Sequence, residues 1–246
     1  MKSTKLVDKI IHFSKTQLSE LKYIKHDVNF LDKIPLNLNQ CMYIVNWQES
    51  KVAYQKRIKE IFGYEEDEFG LKTILEGGHP EDKEIVLRVS NGVIKHAIEN
   101  NNFDQDNTSH SIIYRFKKKD GDYIKILRQS TIFEFSEKGN IISNLSIVTD
   151  VTDLIKTDYV QWDLNTPTVY LNEFKKSIYT EFIDFFTHRE LEIIQLVFQN
   201  KTSDYIAQKL YISKHTVSTH RKNILHKSNC KTVLELIDFC NINGII

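Results

Sequence analysis

Hydrophobic positions change their rhythm along this chain, and each change predicts a different architecture. Residues 4 to 23 place Leu6, Ile10, Phe13, Leu18 and Leu21 near helical spacing, which predicts an amphipathic helix. Such a helix either packs on its own domain or pairs with a second subunit. From Cys41 the pattern shortens. MYIVNW and KVAY are strand candidates, and IKEIFGYEEDEF reads as short helices around Gly63. A long helix is predicted from about Glu81. Pro80 suits its first turn, and Glu81 and Asp82 suit its positive N-terminal end. After a polar loop, ENNNFDQDN at 99–107, come three β-branched and aromatic segments: HSIIYRFKKK, YIKILRQSTIFEF and NIISNLSIVTDV. Asp120-Gly121 and Lys138-Gly139-Asn140 supply the hairpin turns between them. The predicted order is two strands, several helices, then a three-stranded antiparallel meander.

Residues 155 to 180 read as an interdomain connection that packs on one domain or bridges both. Tyr159, Trp162, Tyr170, Leu171, Phe174 and Tyr179 make it too apolar for a solvated linker. Beyond it the helical period returns. Thr187-His188-Arg189-Glu190 is a capping box. It opens a helix carrying Leu191, Ile194, Leu196, Val197 and Phe198, ending at Asn200, a residue that tolerates the left-handed conformation. Thr202 or Ser203 starts a short helix with Ile206, Ala207 and Leu210 inward. Ser213 caps a third, and Thr232 to Glu235 form a second capping box for a last one. The third helix buries Val217, Ile224 and Leu225 on one stripe and exposes His215, Ser218, Thr219, Lys222 and His226 on another.

Composition sharpens this division. Seven of the eight glycines lie between Gly63 and Gly139, so a turn-rich region precedes a turn-poor, helical one. The fold class predicted is α+β: an antiparallel sheet domain with helices, followed by an all-α four-helix domain. Basic and acidic residues balance at 33 each, which argues against a uniformly basic nucleic-acid protein but not against a basic patch. One such patch exists. Between Asp204 and Glu235 there is no acid, while Lys209, Lys214, Arg221, Lys222, Lys227 and Lys231 all occur. A carboxylate on that face would repel DNA phosphates. Small polar and basic side chains admit close approach to a major groove.

Candidate chemistry elsewhere is thin. Cys41, Cys230 and Cys240 are odd in number and far apart, which disfavours a disulfide framework or a zinc site. The N-terminus lacks a signal-peptide core, and no window approaches the ~18 apolar residues of a membrane span. A cytoplasmic location without membrane contact is expected. His79-Pro80-Glu81-Asp82 is better explained by a helix start than by a metal, and Glu65 to Glu68 lacks the alternation of a calcium loop. No phosphate-cradling glycine motif, nucleophile elbow or metal-ligating histidine pair is present, so no enzyme is predicted.

Two resemblances organise these pieces. EIFGYEEDEF, HPEDKEIV, YRFKKKDGDYIKI and IVTDVTDL, in this order over 41–154, resemble a PAS domain. Its interior reads the same whether side chains or a small ligand fill it, so no cofactor is predicted and an unidentified small molecule or protein partner stays open. FTHRELEIIQLVFQNKTSDYIAQKLYISKHTVSTHRKNILHKS, within 181–246, resembles the LuxR-type (NarL/FixJ-type) helix-turn-helix, carried by T-x-R-E, I-A-x-x-L-x-I-S and T-V-x-x-H-x-x-x-I. That resemblance implies double-stranded DNA as partner and the third helix in the major groove. It places base contacts at Ser218, Thr219 and Lys222, and phosphate contacts at Lys201, Lys214, His215, Thr216 and Arg221. It also implies that the last helix, Thr232 to about Asn241, pairs two subunits of a homodimer. Ser218 stands where Lys is usual, Ser228 where Leu is usual, and Val233 where Arg is usual. The expected organisation is a lead-in at 1–40, the PAS-like domain, the connection and the helix-turn-helix. The function expected is sequence-specific transcription regulation with sensing or dimerisation by the PAS-like domain. The alternative is an interaction adaptor with a weak DNA-binding tail.

Overall fold

The computed structural model describes residues 2–99, 107–166, 174–175, 178 and 185–245, the side chains of residues 2–4 excepted. Most of the polar loop, 100–106, lies outside the described residues, as do Pro167, Tyr170, Leu171 and Tyr179 of the connection. The chain divides into two units, Met1–Lys156 with Val160–Leu171, and Thr157–Tyr159 with Asn172–Ile246.

The first unit is built on a six-stranded antiparallel sheet in the order β2-β1-β5-β4-β3-β6. Its strands are β1 (Gln40–Asn46), β2 (Lys51–Lys56), β3 (Ser109–Lys117), β4 (Tyr123–Phe135), β5 (Ile141–Asp150) and β6 (Gln161–Asn165). The meander β3-β4-β5 turns on Gly121 and Gly139, whose φ values of 100° and 82° are the left-handed conformation that glycine adopts without a Cβ clash. Helices α1 (Lys2–Leu18), α2 (Ile58–Phe62), α3 (Leu71–Glu76) and α4 (Pro80–Glu99) complete the unit.

Strand β1 is buried almost throughout, because both faces of the sheet are covered there. Met42 and Ile44 pack with Leu31 of the lead-in, together with Val28, Ile34 and Leu36. Tyr43 and Val45, on the other face, line an interior cavity. The start of α4 is clamped to β3. Buried Asp82 accepts from the Arg115 amide at 2.8 Å and from its Nε at 3.0 Å, and Glu81 accepts from its Nη2 at 3.0 Å. The two acids beside His79 therefore serve an arginine.

One expectation needs correction here. The first helix ends at Leu18, and its buried stripe is Val7, Ile10, Ser14 and Leu18. Leu6 and Phe13 are only half-buried, and Leu21 lies beyond the helix. Ser14 fits this stripe because its hydroxyl donates to the Ile10 carbonyl at 3.0 Å. The helix packs within its own unit, chiefly on α4. Within the connection, Gln161–Asn165 forms an edge strand on β3, with Ile112 opposite Trp162. Trp162 and Leu164 point inward and are buried.

The second unit holds α5 (His188–Phe198), α6 (Ser203–Leu210), α7 (Lys214–Ser228) and α8 (Val233–Ile242). Each start is capped by a hydroxyl: Thr187, Thr202, Ser213 and Thr232 accept from the amides of Glu190, Tyr205, Thr216 and Glu235. The turns after α5, α6 and α7 use Asn200, Tyr211 and Asn229 in the left-handed conformation, with φ of 55°, 54° and 55°. Ile194, Ile206, Val217, Ile224 and Phe239 form the core. Ser228 is fully buried in it and satisfied by the Ile224 carbonyl at 2.9 Å, so the shorter side chain leaves no orphan hydroxyl. Cys41, Cys230 and Cys240 are free and buried, and burial pushes all three thiols up, Cys230 to about 12. Thiols in that state are poor nucleophiles.

Candidate nucleic-acid interface and interior cavity

Helix α7 separates its faces sharply. Val217, Ile224 and Ser228 are buried, whereas His215, Ser218, Thr219, Lys222 and His226 are exposed. Leu225, expected in the buried stripe, is half-buried. The exposed face carries no acid. Its two hydroxyls are already oriented: Ser218 donates to the Lys214 carbonyl at 3.1 Å and Thr219 to the His215 carbonyl at 3.2 Å. A hydroxyl that donates to its own helix turns its lone pairs outward as acceptors. Lys222 supplies a donor beside them.

The remaining sequence-predicted contacts sit around this face rather than on it. Lys214 pairs with exposed Asp204 at 2.8 Å, so an acid does stand at the edge of the patch. Arg221 is half-buried and donates through Nη1 to Ser203 at 2.8 Å, tying α7 to α6. Thr216 is engaged in the cap, its hydroxyl 2.8 Å from that of Ser213. Lys201, in the loop after α5, lies 5.2 Å from the ring centre of Tyr205. Two further cations of the acid-free stretch are structural. Lys227 reaches the buried Glu190 carboxylate at 2.6 Å, and Lys231 pairs with Asp158 at 2.5 Å. Burial disfavours the charge on Glu190. Lys227, with the Thr187 amide and hydroxyl, outweighs that and holds the carboxyl below its usual range.

The cavity in the first unit was not legible in the sequence. It has a volume of about 100 Å³, several times the roughly 10–15 Å³ that one water requires. Its floor follows from strand register. His110 lies opposite Ser130, Ser130 opposite Ser146, and Ser146 opposite Tyr43. The row of four strands thus places two serines, on β4 and β5, between His110 and Tyr43, where large aliphatics would fill the space. The Ser130 and Ser146 hydroxyls are 2.8 Å apart, and Asn144 donates to Ser146 at 3.0 Å. Arg128, one step along the same face, also lines the cavity. Burial and nearby Arg128 push His110 down to about 3, so it is neutral at physiological pH. Val93, Ile94 and Trp47 are among the apolar residues of the walls.

Comparison with known proteins agrees with both units. Residues 184–240 match the family model described as bacterial regulatory proteins, luxR family, and residues 51–148 match the PAS fold. The second unit thus carries a LuxR-type helix-turn-helix domain at 184–240, and the first a PAS domain at 51–148. The uncharacterized transcriptional regulatory protein YxjL of Bacillus subtilis is 39% identical over 61 residues, 25% of this chain and 28% of its own. The virulence factors putative positive transcription regulator BvgA of Bordetella pertussis is 35% identical over 63 residues, 26% of this chain and 30% of its own. The chain thus spans under a third of the length of these curated relatives. A solved structure of the Vibrio cholerae VqmA dimer in the absence of target DNA aligns over 89% of both chains, with 19% identity and a TM-score of 0.38. Among the described residues no helix is long and apolar enough to cross a membrane.

Proposed function

We propose that this chain is a cytoplasmic, homodimeric transcription regulator that binds DNA through α7 and senses a small molecule through its PAS domain. The observation that supports it most is the acid-free exposed face of α7, with Ser218, Thr219 and Lys222 free of tertiary partners among the described residues. In this reading those three meet base edges. The Ser218 and Thr219 lone pairs accept from base amino groups, and Lys222 donates to guanine O6 or N7. Lys201, Lys214, His215 and Thr216 meet phosphates, as does Arg221 through the guanidinium donors that Ser203 does not take. The connection at 155–180 carries the signal from the PAS domain at 41–154 to the helix-turn-helix at 181–246. No catalytic role is assigned.

The test is selection from random duplexes by the purified full chain, with affinity measured at two salt concentrations. A short two-fold motif and a steep salt slope are expected. Tight protein partners with weak, motif-free DNA binding, by the full chain and by residues 181–246 alike, would replace the regulator with an interaction adaptor.

A further inference from the structure

We propose that the PAS cavity binds a small monocarboxylic acid, its carboxylate seated on Arg128 and its apolar body held by the walls above. This rests on the reading of that unit as a small-molecule sensor, and names the ligand class. Arg128 is only 8% exposed, and its Nε has no hydrogen-bond partner. Its other contacts are weak for a buried cation: the Ser90 hydroxyl at 3.5 Å, the Tyr43 phenol, and the Tyr114 ring at 5.6 Å. Among the described residues no carboxylate pairs with it.

A buried guanidinium without a counter-ion is unfavourable, and an anion that accepts its N–H groups relieves it. The forked guanidinium fits a carboxylate with two parallel bonds. Among the described lining residues there is one such cation and no lysine, so one negative charge balances it where a phosphate dianion would not. His110, also buried, has a second unpartnered nitrogen, Nε2, at the same floor. As a neutral ring it supplies one further hydrogen bond without repelling the guanidinium. The walls of Trp47, Val93 and Ile94 favour an apolar body.

The experiment is thermal unfolding of the full chain at pH 7 with millimolar benzoate, phenylacetate or hexanoate. Each is set against its uncharged partner: benzyl alcohol, 2-phenylethanol or hexanol. At least one acid is expected to raise the melting temperature by about 3 °C or more, with its alcohol giving no shift. Arg128→Met should abolish that shift. Should Arg128→Met not fold, Ala97→Phe, which fills the cavity and keeps Arg128, should abolish it instead. Shifts from the alcohols alone would overturn the carboxylate assignment and leave the sensor reading standing. Equal shifts from both series, or a shift that survives Arg128→Met, would overturn it in the same way. No shift from either series would remove the sensor reading as well.

Discussion

At the scale of single residues, cations with no structural partner differ in role from cations that hold the fold. Among the described residues Lys222 has no structural partner, and it stands on the exposed face, so Lys222→Ala should relax preference at one base position and cost ~1–3 kcal/mol on the cognate site. Lys214 is different, because Asp204 holds its ammonium at 2.8 Å. Asp204→Asn should release it, tightening all sequences alike and steepening the salt dependence. Competition binding on cognate and scrambled duplexes at two salt concentrations checks both. Unequal effects of Asp204→Asn across sequences would remove Lys214 from the phosphate contacts. In the PAS unit, His110 makes a separate prediction. Its ring stays neutral in the folded state down to about pH 3 but takes a proton near 6.5 when unfolded. The unfolded chain then binds more protons across that window, so stability falls as pH drops from about 6.5 towards 3. The contribution is at most ~1.4 kcal/mol per pH unit. His110→Gln should flatten that slope in pH-dependent melting.

At the scale of elements, stability in the second unit rests on local chemistry that the sequence displays openly. Thr187 and Glu190 satisfy each other's amides, at 3.2 and 2.8 Å, so Thr187→Ala should cost ~1 kcal/mol. Chemical denaturation of the full chain would show this as an earlier transition, provided that the two units unfold separately. Tyr211 holds a left-handed conformation and is 96% exposed. Tyr211→Gly should therefore stabilise the unit by up to ~1 kcal/mol, and destabilisation would mean that the ring does something its exposure does not show. Caps, short connections and the buried stripe of α7 were legible because they depend on residues three or four apart. Strand β6 was not, because it forms only where β3 leaves an open edge far away in sequence. In α1, Ile10 and Leu18 were legible as buried positions, whereas Ser14 was not, because a serine that back-bonds to its own helix takes the place of an apolar residue.

At the scale of the whole molecule, both domains were readable from motif order, whereas the cavity was not. A cavity is made of missing atoms, and its floor joins residues on four strands through their register. Ser130 and Ser146 look like ordinary polar positions in their own segments, and only their alignment with His110 and Tyr43 places them in one row. Dimerisation belongs to this scale too. Light scattering after size exclusion should give two chains per particle on DNA; a monomer both free and on DNA would contradict the two-fold reading. The central claim is that the exposed face of α7 reads sequence, and parallel selection of bound duplexes by the full chain and by Lys222→Ala tests it most directly. A two-fold motif is expected for the first and the same motif for the variant, degenerate at one symmetric pair of positions. Identical motifs from both, differing only in affinity, would contradict it.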